Sequence, residues 1–260
     1  MNILITGSRS GIGFSTGITL LKRGHYVYFT VHRKTQVKTL VEKLKKLNIS
    51  NKYSVFKLDI TKKKDREQLY DLDIDVLINN ASIGVGGSIL DLDIEHIKEN
   101  FEVNVFSNIE MIQTYATQRL LNNKKARILV LSSLAGIIPL PFMGSYCSTK
   151  AALISLVTSL KRELSLISTN LDIALIEPGM YLTGFNEVMI DNKNASLVFD
   201  NIYSKVTLCQ KRIFKILSKK KLTSITKKIV KAVECKKLGL KYRAPFIQVL
   251  GAKIYMLLFK

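Results

Sequence analysis

The sequence predicts an α/β fold in which a doubly wound parallel sheet is covered by helices on both faces. Six short runs of β-branched and aromatic residues recur along the first 180 residues, and segments with helical spacing separate them. Each run is apolar throughout, which is typical of strands buried on both faces. With 47% hydrophobic and 23% charged residues, the 260-residue chain is neither disordered nor collagen-like. We therefore expect one domain with three layers, α/β/α.

The strands are expected at regular places in this alternation. Residues 3–6 form the first strand, and residues 26–31 form the second because β-branched and aromatic side chains dominate them. The later strands are expected at residues 53–58, 76–78, 127–131 and 171–176, and residues 240–246 are a candidate for one more.

The helices between the strands follow from the spacing of apolar residues. Residues 14–23 end at Gly24, a suitable C-cap, and residues 34–47 have an apolar stripe with a basic face. Residues 185–221 lack a strong period over most of their length, so a long loop or short helices are expected there. The remaining helices are expected at residues 94–121 (bent), 146–166 and 223–236, before an apolar tail at residues 247–259.

A glycine-rich turn, TGSRSGIG at residues 6–13, lies between the first strand and the first helix. Backbone amides at a helix N-terminus, with no side chains in the way, form a site for a pyrophosphate. The alternative is a tight turn whose glycines serve packing only. Both flanking elements favour cofactor binding, and the residues expected to contact a dinucleotide are Gly7, Ser8, Arg9, Ser10, Gly11, Ile12 and Gly13.

Polar residues end two further strands, at the edge where open α/β sheets bind ligands. Asp59 follows the third strand, next to Ile60, and its carboxylate could accept the adenine amino group. Asn80 and Ala81 follow the fourth strand, with Ser82 after them, and could line a cofactor trough. Taken singly, each could also be a solvated turn residue or a loop cap.

The end of the second strand bears on the choice of cofactor. An acidic residue there would bind the ribose 2′-hydroxyl and disfavour a 2′-phosphate. This chain has His32 and Arg33 in place of a carboxylate, and Arg9 in the glycine turn adds a cation. Arginine can pair two donors with a phosphate, so NADP(H) is favoured and NAD(H) is the alternative. Arg33 could instead simply begin a solvated basic helix.

The reactive residues lie after the fifth strand and on the helix that follows it. Tyr146 and Lys150 are four positions apart, so they share one helix face. A neighbouring ammonium lowers the pKa of a phenol, which would help Tyr146 to exchange a proton near neutral pH. Ser133 could donate a hydrogen bond to a carbonyl or alkoxide oxygen. Each feature alone occurs by chance, but their ordered combination with Asn104 and the glycine turn does not.

That combination resembles the short-chain dehydrogenase/reductase family, whose members have a Rossmann fold. The family carries Thr-Gly-x3-Gly-x-Gly, Asn-Asn-Ala, an Asn-Ser-Tyr-Lys tetrad and Pro-Gly-x3-Thr. Residues 101–106 and 176–179 look most like the branch that contains hydroxysteroid and retinol dehydrogenases. Two positions depart from the pattern, since Ser82 replaces the usual Gly and His32 stands where NADP-using members often have Arg. The family motifs match here at residues 6–13, 79–81, 104, 133, 146, 150 and 178–183.

The resemblance implies an oxidoreductase that moves a hydride between a nicotinamide cofactor and a carbonyl or secondary alcohol. It makes Tyr146 the general acid in reduction and the base in oxidation, while Ser133 polarises the carbonyl. Lys150 would bind ribose and tune Tyr146, and Asn104 would support a water that connects Lys150 to solvent. The groups that the resemblance places at the nicotinamide carboxamide are Pro178, Gly179 and Thr183.

We expect three parts of the chain to divide this work: a core at residues 1–184, a substrate lid at 185–222 and a C-terminal part at 223–260. Apolar residues of the lid, with residues 139–143 ahead of Tyr146, favour a hydrophobic substrate such as a lipid, steroid or retinoid. The alternative is that half of them pack the lid onto the fold. The lid residues concerned are Phe185, Val188, Met189, Ile190, Leu197, Val198, Phe199, Ile202 and Tyr203.

The net charge of +20 is concentrated at the C-terminal end. Residues 205–260 hold 16 Lys or Arg and one acidic residue, Glu234, which leaves +15 there and +5 for residues 1–204. Basic residues beside apolar ones over residues 211–231 suit adsorption to anionic lipid, and the apolar tail could lie in the same interface. The alternative is a solvated face with a packed C-terminal segment. Nucleic acid is not an expected partner, because no aromatic-rich basic ribbon is present.

The remaining features bear on location and partners. Three widely spaced cysteines without histidine partners argue against a disulfide framework or a metal site and fit a reducing compartment. No signal peptide or spanning apolar run is apparent, so we expect a cytoplasmic protein, with membrane association left open. The family resemblance implies a homodimer or homotetramer, and the alternative is that the basic, apolar C-terminus blocks the usual contacts. The alternative function is a non-catalytic dinucleotide sensor or membrane-surface binder, against which the complete tetrad argues.

Overall fold

A seven-stranded parallel sheet forms the centre of the molecule, as seen in the residues that the computed structural model describes: 1–49, 52–167, 170–185, 189 and 200–258. The strands lie in the order β3-β2-β1-β4-β5-β6-β7, so the chain winds outwards in both directions from β1. The predicted doubly wound α/β fold is therefore confirmed. The strands are β1 (Asn2–Ile5), β2 (Tyr26–Val31), β3 (Tyr53–Lys57), β4 (Val76–Asn79), β5 (Ala126–Leu131), β6 (Leu171–Pro178) and β7 (Lys241–Ala244).

Helices cover both faces of this sheet. The first begins at Gly11, inside the glycine turn, and so starts three residues earlier than apolar spacing predicts. The helices of the described residues are α1 (Gly11–Lys22), α2 (Thr35–Lys45), α3 (Lys63–Arg66), α4 (Ile94–Phe101), α5 (Ser107–Leu121), α6 (Gly144–Leu166), α7 (Asp200–Leu217), α8 (Thr223–Glu234) and α9 (Phe246–Leu258).

The core is divided into two by the sheet, as alternation along a buried strand requires. Ile3 and Ile5 of β1 lie in one cluster with residues of α1, α2 and α8, whereas Leu4 lies in the other with residues of α5 and α6. All three side chains are fully buried. Both faces of β1 are therefore dry, which explains why its sequence is apolar without alternation.

The bend predicted within residues 94–121 is a π turn, Glu102–Phe106, that joins α4 to α5. π turns interrupt the regular hydrogen-bond ladder of a helix and are frequent at functional sites. Here the turn includes Asn104, whose side chain is fully buried. The interruption thus places a polar side chain inside the fold, close to the end of β4.

The region after β6 differs from its prediction. Residues 200–217 form one helix of 18 residues, α7, where the sequence predicts a long loop or short helices. Apolar residues such as Val206, Ile213 and Leu217 do recur at helical spacing in this segment, so the expectation for residues 200–217 is wrong. Among its described side chains, Phe214 is partly buried and Ile216 is 80% exposed. The parts of the predicted lid at 186–188 and 190–199 lie outside the described residues.

α8 buries its apolar face in the core. Ile225 and Ile229 are fully buried, while Lys227 and Lys228 face solvent. For this helix the basic face is solvated and the apolar face is packed, so its apolar residues form no lipid-binding surface. Among the described residues, no helix combines the length and hydropathy that crossing a bilayer requires.

Candidate active site

The glycine turn follows β1 and is held by its neighbours on both sides. Gly7 and Gly11 both have φ of +60°, a left-handed conformation that favours glycine. Ser8 is buried, and its backbone amide and its hydroxyl both bond to the backbone of Thr30 on β2. The hydrogen bonds between Ser8 and Thr30 therefore hold the predicted turn against β2 in a single conformation.

Asn80 and Ala81 pack directly against this turn. Asn80 Nδ2 donates to the carbonyl oxygens of Thr6 at 2.8 Å and Gly7 at 3.0 Å. Thr6 Oγ1 accepts the backbone amides of Asn80 and Ala81, each at 2.9 Å. A Cβ on Gly7 would lie 2.9 Å from Ala81 Cα, and one on Gly13 would lie 2.6 Å from Asn80 Nδ2. Both positions need glycine because the end of β4 approaches so closely.

The exit of β6 reaches the same place. A Cβ on Gly11 would lie 3.3 Å from the Cβ of Thr183, so the glycine turn and the segment after Gly179 are neighbours. Residues predicted from three separate stretches of sequence, 6–13, 79–81 and 178–183, thus meet at the carboxyl ends of β1, β4 and β6. This is the edge at which open α/β sheets bind ligands.

The residues around the glycine turn fit a dinucleotide pyrophosphate. The first amides of a helix have no partner within the helix, and the N-cap residue Ser10 makes no side-chain hydrogen bond to α1. A Cβ on Gly7, Gly11 or Gly13 would meet Ala81, Thr183 or Asn80, so these glycines serve packing, as the alternative interpretation holds. The amides at the positive end of the helix still suit an anionic group.

A group of cationic residues lies beside this turn. The pKa of His32 is lowered by its partial burial and by the charges of Arg33 and Arg9, while Asp59 opposes the shift. Lys43 on α2 joins the group, because burial and the charge of Arg9 lower its pKa as well. Its ammonium lies 3.8 Å from the centre of the Phe14 ring. Arg9, His32 and Arg33 are therefore brought together as the sequence predicts, with Lys43 as an addition.

Asp59 lies at the end of β3, but its carboxylate has local partners. Its Oδ1 accepts the backbone amide of Thr61 at 3.1 Å and the hydroxyl of Thr61 at 2.8 Å. Ile60 beside it is buried. One carboxylate oxygen thus caps the loop, which is the alternative that the sequence leaves open, and adenine recognition by Asp59 stays a prediction.

Ser133, Tyr146 and Lys150 converge where β5 ends and α6 begins. Tyr146 and Lys150 are both buried, and the Lys150 ammonium lies 5.5 Å from the centre of the Tyr146 ring. Burial raises the pKa of the Tyr146 phenol, and its hydrogen bond with Ser133 offsets part of that rise. Burial also lowers the pKa of Lys150 to about 7. The three groups are therefore assembled as predicted, but the predicted lowering of the Tyr146 pKa by Lys150 is not found, because burial dominates and raises that pKa.

The first turns of α6 are fixed by the end of β5. Ser132 Oγ donates to the backbone oxygen of Lys150 at 2.9 Å, and Lys150 Nζ donates to the carbonyl of Leu131 at 3.2 Å. A Cβ on Gly136 would lie only 2.7 Å from the Lys150 carbonyl carbon. Ser132 thus positions the helix that carries the reactive pair, a role that the sequence pattern does not reveal.

Asn104 binds the loop after β4. Its Oδ1 accepts the backbone amide of Ile83, and its Nδ2 donates to the Ile83 carbonyl, both at 2.8 Å. Nδ2 also lies 3.2 Å from Thr149 Oγ1 on α6. The side chain satisfies a buried backbone, as the alternative interpretation holds, and it links the π turn to the helix that bears Tyr146. Ser82, next to Ile83, is partly buried in this loop.

An apolar wall covers Tyr146. The rings of Tyr146 and Phe185 are 5.6 Å apart at their centres. A small cluster around them includes Phe214 from α7, which the sequence predicts to belong to the lipid-adsorbing stretch 211–231 and which packs inward here instead. The wall consists of Met143, Tyr146, Cys147 and Met189, with Ala135, Leu140, Phe185 and Phe214 packed against them. Of the other predicted lid residues, Val188, Ile190, Leu197, Val198 and Phe199 lie outside the described residues, and so do the side chains of Ile202 and Tyr203.

The sequence model of the short chain dehydrogenase family matches residues 1–194, about three quarters of the chain. The chain belongs to the short-chain dehydrogenase family. It is therefore an oxidoreductase that acts on CH–OH or C=O groups with a nicotinamide cofactor, as the motifs predict. This assignment rests on the whole core and not on one motif.

Two relatives extend the similarity beyond the core of this short-chain dehydrogenase. A probable short-chain type dehydrogenase/reductase of Helicobacter pylori is 30% identical over 98% of this chain and 90% of that protein. The 3-ketodihydrosphingosine reductase of Bacteroides thetaiotaomicron is 28% identical over 96% of this chain and 90% of that protein. Both alignments include the region after residue 194, which the family model does not cover.

Solved structures show the same fold. A short chain dehydrogenase/reductase of Burkholderia phymatum in complex with NAD has a TM-score of 0.82 at 19% identity, covering 97% of this chain and 91% of that one. A short chain dehydrogenase of Burkholderia cenocepacia in complex with NADP has a TM-score of 0.71 at 19% identity, covering 98% and 92%. Proteins with this fold thus hold either cofactor, and the choice between them in this short-chain dehydrogenase is a separate question.

Proposed function

We propose that this short-chain dehydrogenase is an NADP(H)-dependent oxidoreductase of a hydrophobic carbonyl or secondary alcohol, with Tyr146 as its general acid and base. The single observation that carries the proposal is the position of Tyr146. Its phenol is buried, lies beside Ser133 and Lys150, and is covered by an apolar wall. A proton donor packed against apolar side chains suits a carbonyl attached to a hydrocarbon.

The side chains divide the proton chemistry. The bound nicotinamide supplies or accepts the hydride. Ser133 donates a hydrogen bond to the substrate oxygen, and Tyr146 gives that oxygen a proton in reduction or removes it in oxidation. A charged Lys150 favours the phenolate of Tyr146. Because burial lowers the pKa of Lys150 to about 7, the charge that tunes Tyr146 itself titrates near neutral pH.

The test of this role is Tyr146→Phe, which keeps the ring and removes the hydroxyl. Loss of a general acid or base costs roughly 10²–10⁴-fold in kcat. We expect a fall of that size in NADPH oxidation with a panel of aliphatic, steroid and aromatic ketones, while NADPH binding followed by its fluorescence persists. Unchanged turnover would refute the mechanism. NADPH binding without turnover in wild type, for every member of the panel, would favour the alternative, a dinucleotide sensor.

NADP(H) is proposed over NAD(H) because of the cations beside the glycine turn. The end of β2 has no carboxylate that would reject a 2′-phosphate, and Arg9, Arg33 and Lys43 surround it. Replacing Arg9 and Arg33 by Ala should raise KM for NADPH by about tenfold or more and leave KM for NADH nearly unchanged. An equal effect on both cofactors would contradict the proposed preference.

A hydrophobic substrate is proposed from the wall over Tyr146. Phe185, Phe214 and Met189 present hydrocarbon rather than hydrogen-bonding groups to the phenol. The relative named 3-ketodihydrosphingosine reductase supports a ketone on a long aliphatic chain as the first candidate. In a series of methyl ketones of increasing chain length, kcat/KM should rise with each added methylene until the chain extends beyond the apolar side chains over Tyr146. A flat series would contradict this assignment.

The predicted division of the chain and the remaining predicted contacts are also part of the proposal. The core at residues 1–184, the lid at residues 185–222 and the C-terminal part at residues 223–260 are regions of one domain in this proposal. A homodimer or homotetramer is proposed from the family, and the exposed Phe106 and Leu156 on neighbouring helices fit such a contact. The remaining proposed cofactor contacts are Gly7, Ser8, Ser10, Gly11, Ile12, Gly13, Asp59, Ile60, Asn80, Ala81, Ser82, Pro178, Gly179 and Thr183, with Asn104 as the support for a water at Lys150.

A further inference from the structure

An exposed apolar surface runs from the end of α7 to α9, and we call it the C-terminal surface. It is unusual because large apolar side chains, and not only their edges, face solvent. Phe246 is 78% exposed, Ile247 is 72% exposed and Leu257 is 75% exposed. The apolar members of the C-terminal surface are Ile216, Leu217, Phe246, Ile247, Leu250, Ile254 and Leu257.

Hydrogen bonds make this surface continuous. Gln248 on α9 donates from Nε2 to the carbonyl of Leu217, the last residue of α7, at 2.8 Å. Its Oε1 accepts the backbone amide of Met180 at 2.6 Å. The amide of Lys219 donates to the Met180 carbonyl at 3.0 Å. The end of α7, the start of α9 and the exit of β6 are thus joined, and the exit of β6 also meets the glycine turn at Thr183.

The charge around the C-terminal surface is positive. Lys215 and the run Lys219, Lys220 and Lys221 are exposed beside Ile216 and Leu217, and Lys253 is exposed on α9. Within residues 205–260 the one acidic residue is Glu234. Its carboxylate binds Arg23 and His25 at the far end of α8 and does not offset these lysines.

Apolar side chains rimmed by lysines fit the headgroup boundary of an anionic bilayer. The same surface fits a second copy of the chain less well. A two-fold contact would set the lysines of one copy against those of the other, and opposed like charges destabilise an interface. The lysines of α8 provide the contrast, since that helix has a basic face without exposed apolar residues beside it.

We propose that the C-terminal surface adsorbs to anionic phospholipid, with α9 lying in the plane of the interface. The inference that a lipid substrate then reaches the catalytic chamber from the bilayer rests on the proposed function, but adsorption itself does not. Adsorption would place the exit of β6, bound to α9 through Gln248, against the membrane side of the protein.

The test is flotation of the full-length protein with vesicles of phosphatidylcholine alone or with about a third phosphatidylserine, without cofactor or substrate. Wild type should float with the anionic vesicles and lose this at high salt. The double variant Ile247→Ser/Leu257→Ser and the triple variant Lys219→Gln/Lys220→Gln/Lys221→Gln should each lower binding roughly tenfold or more. The matched control is Lys227→Gln/Lys228→Gln/Lys231→Gln on α8, which removes equal charge and should bind nearly as wild type does.

Three results would overturn the proposal. Wild type would fail to float with anionic vesicles, or the α8 control would lose as much binding as the Lys219 triple variant. Light scattering could also show a dimer that Ile247→Ser/Leu257→Ser dissociates, which would assign the surface to a second copy. Turnover of a water-soluble ketone, measured on the same variants, separates the two proposals. If only the adsorption proposal is wrong, turnover persists while flotation fails. If only the catalytic assignment is wrong, flotation persists while turnover fails.

Discussion

Lys150 illustrates how a single buried side chain links stability to pH. Its ammonium is almost fully withdrawn from water, and its hydrogen bond is to the carbonyl of Leu131. A neutral carbonyl compensates poorly for lost hydration, which is why burial lowers the pKa of Lys150 to about 7. The residue proposed to tune Tyr146 therefore destabilises the fold when it is charged.

The pH dependence of stability should reveal this cost. The unfolded chain keeps a lysine pKa near its ordinary value of 10.5, so it binds the extra proton between pH 7 and 10.5. The free energy of unfolding should rise with pH across that window, by at most about 1.4 kcal/mol per pH unit, and be insensitive to Lys150 below it. Urea titrations of wild type and Lys150→Met between pH 6 and 9 measure this. The free energy of unfolding of wild type, relative to that of Lys150→Met, should rise with pH, and parallel curves would contradict this.

Gly13 offers a second residue-scale prediction. A methyl group there would press on the Asn80 amide, which holds the carbonyls of Thr6 and Gly7. Gly13→Ala should raise KM for NADPH about tenfold or more, because distortion of the turn misdirects amides that bind the cofactor. The matched control is Gly251→Ala in α9, where a Cβ would meet nothing within 4 Å. Equal KM values for the two variants would rule out this role of Asn80.

At the scale of elements, one carboxylate joins α1 and α8, which pack against the same face of the sheet. Glu234 at the end of α8 binds Arg23 with both oxygens at 2.6 Å and His25 at 2.9 Å. The hydrogen bond from Arg23 is the main reason that the pKa of Glu234 is lowered to about 2, and His25 adds to it. This pair connects residues more than 200 positions apart, so it stabilises the closure of the fold rather than either helix.

Glu234→Gln should therefore lower the melting temperature at pH 7 by about one or two degrees, as expected for a partly exposed ion pair. Its contribution is present above pH 4.5, the ordinary pKa, and is lost as pH falls towards 2. The comparison is Glu67→Gln, whose partner Lys63 is 3.9 Å away on an exposed helix turn and should matter less. Calorimetry at pH 7 and pH 3 would contradict the prediction if the two variants behaved alike.

Over the whole molecule, the positively charged side chains discussed above lie in two separate regions. One group of cations lies beside the glycine turn, and the lysines of the C-terminal surface are exposed on and after α7 and on α9. Raising the salt concentration from about 0.1 M to about 1 M shortens the screening length from about 10 Å to about 3 Å. KM should then rise several-fold more for NADPH than for NADH, because Arg9 and Arg33 are exposed. Steady-state kinetics in both salts test this, and equal increases would argue against recognition of a 2′-phosphate.

Much of the fold could be predicted from the sequence because its strands are buried on both faces. β2 has the predicted ends, and β1 and β4 differ from theirs by one residue. α7 could have been predicted as one helix, since apolar residues recur at helical spacing over residues 200–217, but the polar stretch 191–196 before it obscures that pattern. The start of α1 was also missed, since Gly11 and Gly13 are poor helix formers that are tolerated here for close packing.

The candidate site could be predicted where its residues belong to motifs that lie at the carboxyl ends of the strands. Its missing members are residues whose role depends on how distant elements pack. Lys43 belongs to the cationic group only because α2 lies beside the glycine turn, and Gln248 reaches Met180 only because β7 turns α9 back over the exit of β6. No local pattern marks either one, so a single sequence does not contain the signal.

The contact between Tyr146 and Phe185 has a further consequence for selectivity. The phenol has an aromatic neighbour within its own chain, so under the proposed function a hydrocarbon substrate would exchange one apolar contact for another. The gain in kcat/KM for each added methylene should then be smaller than complete burial of that methylene from water would give.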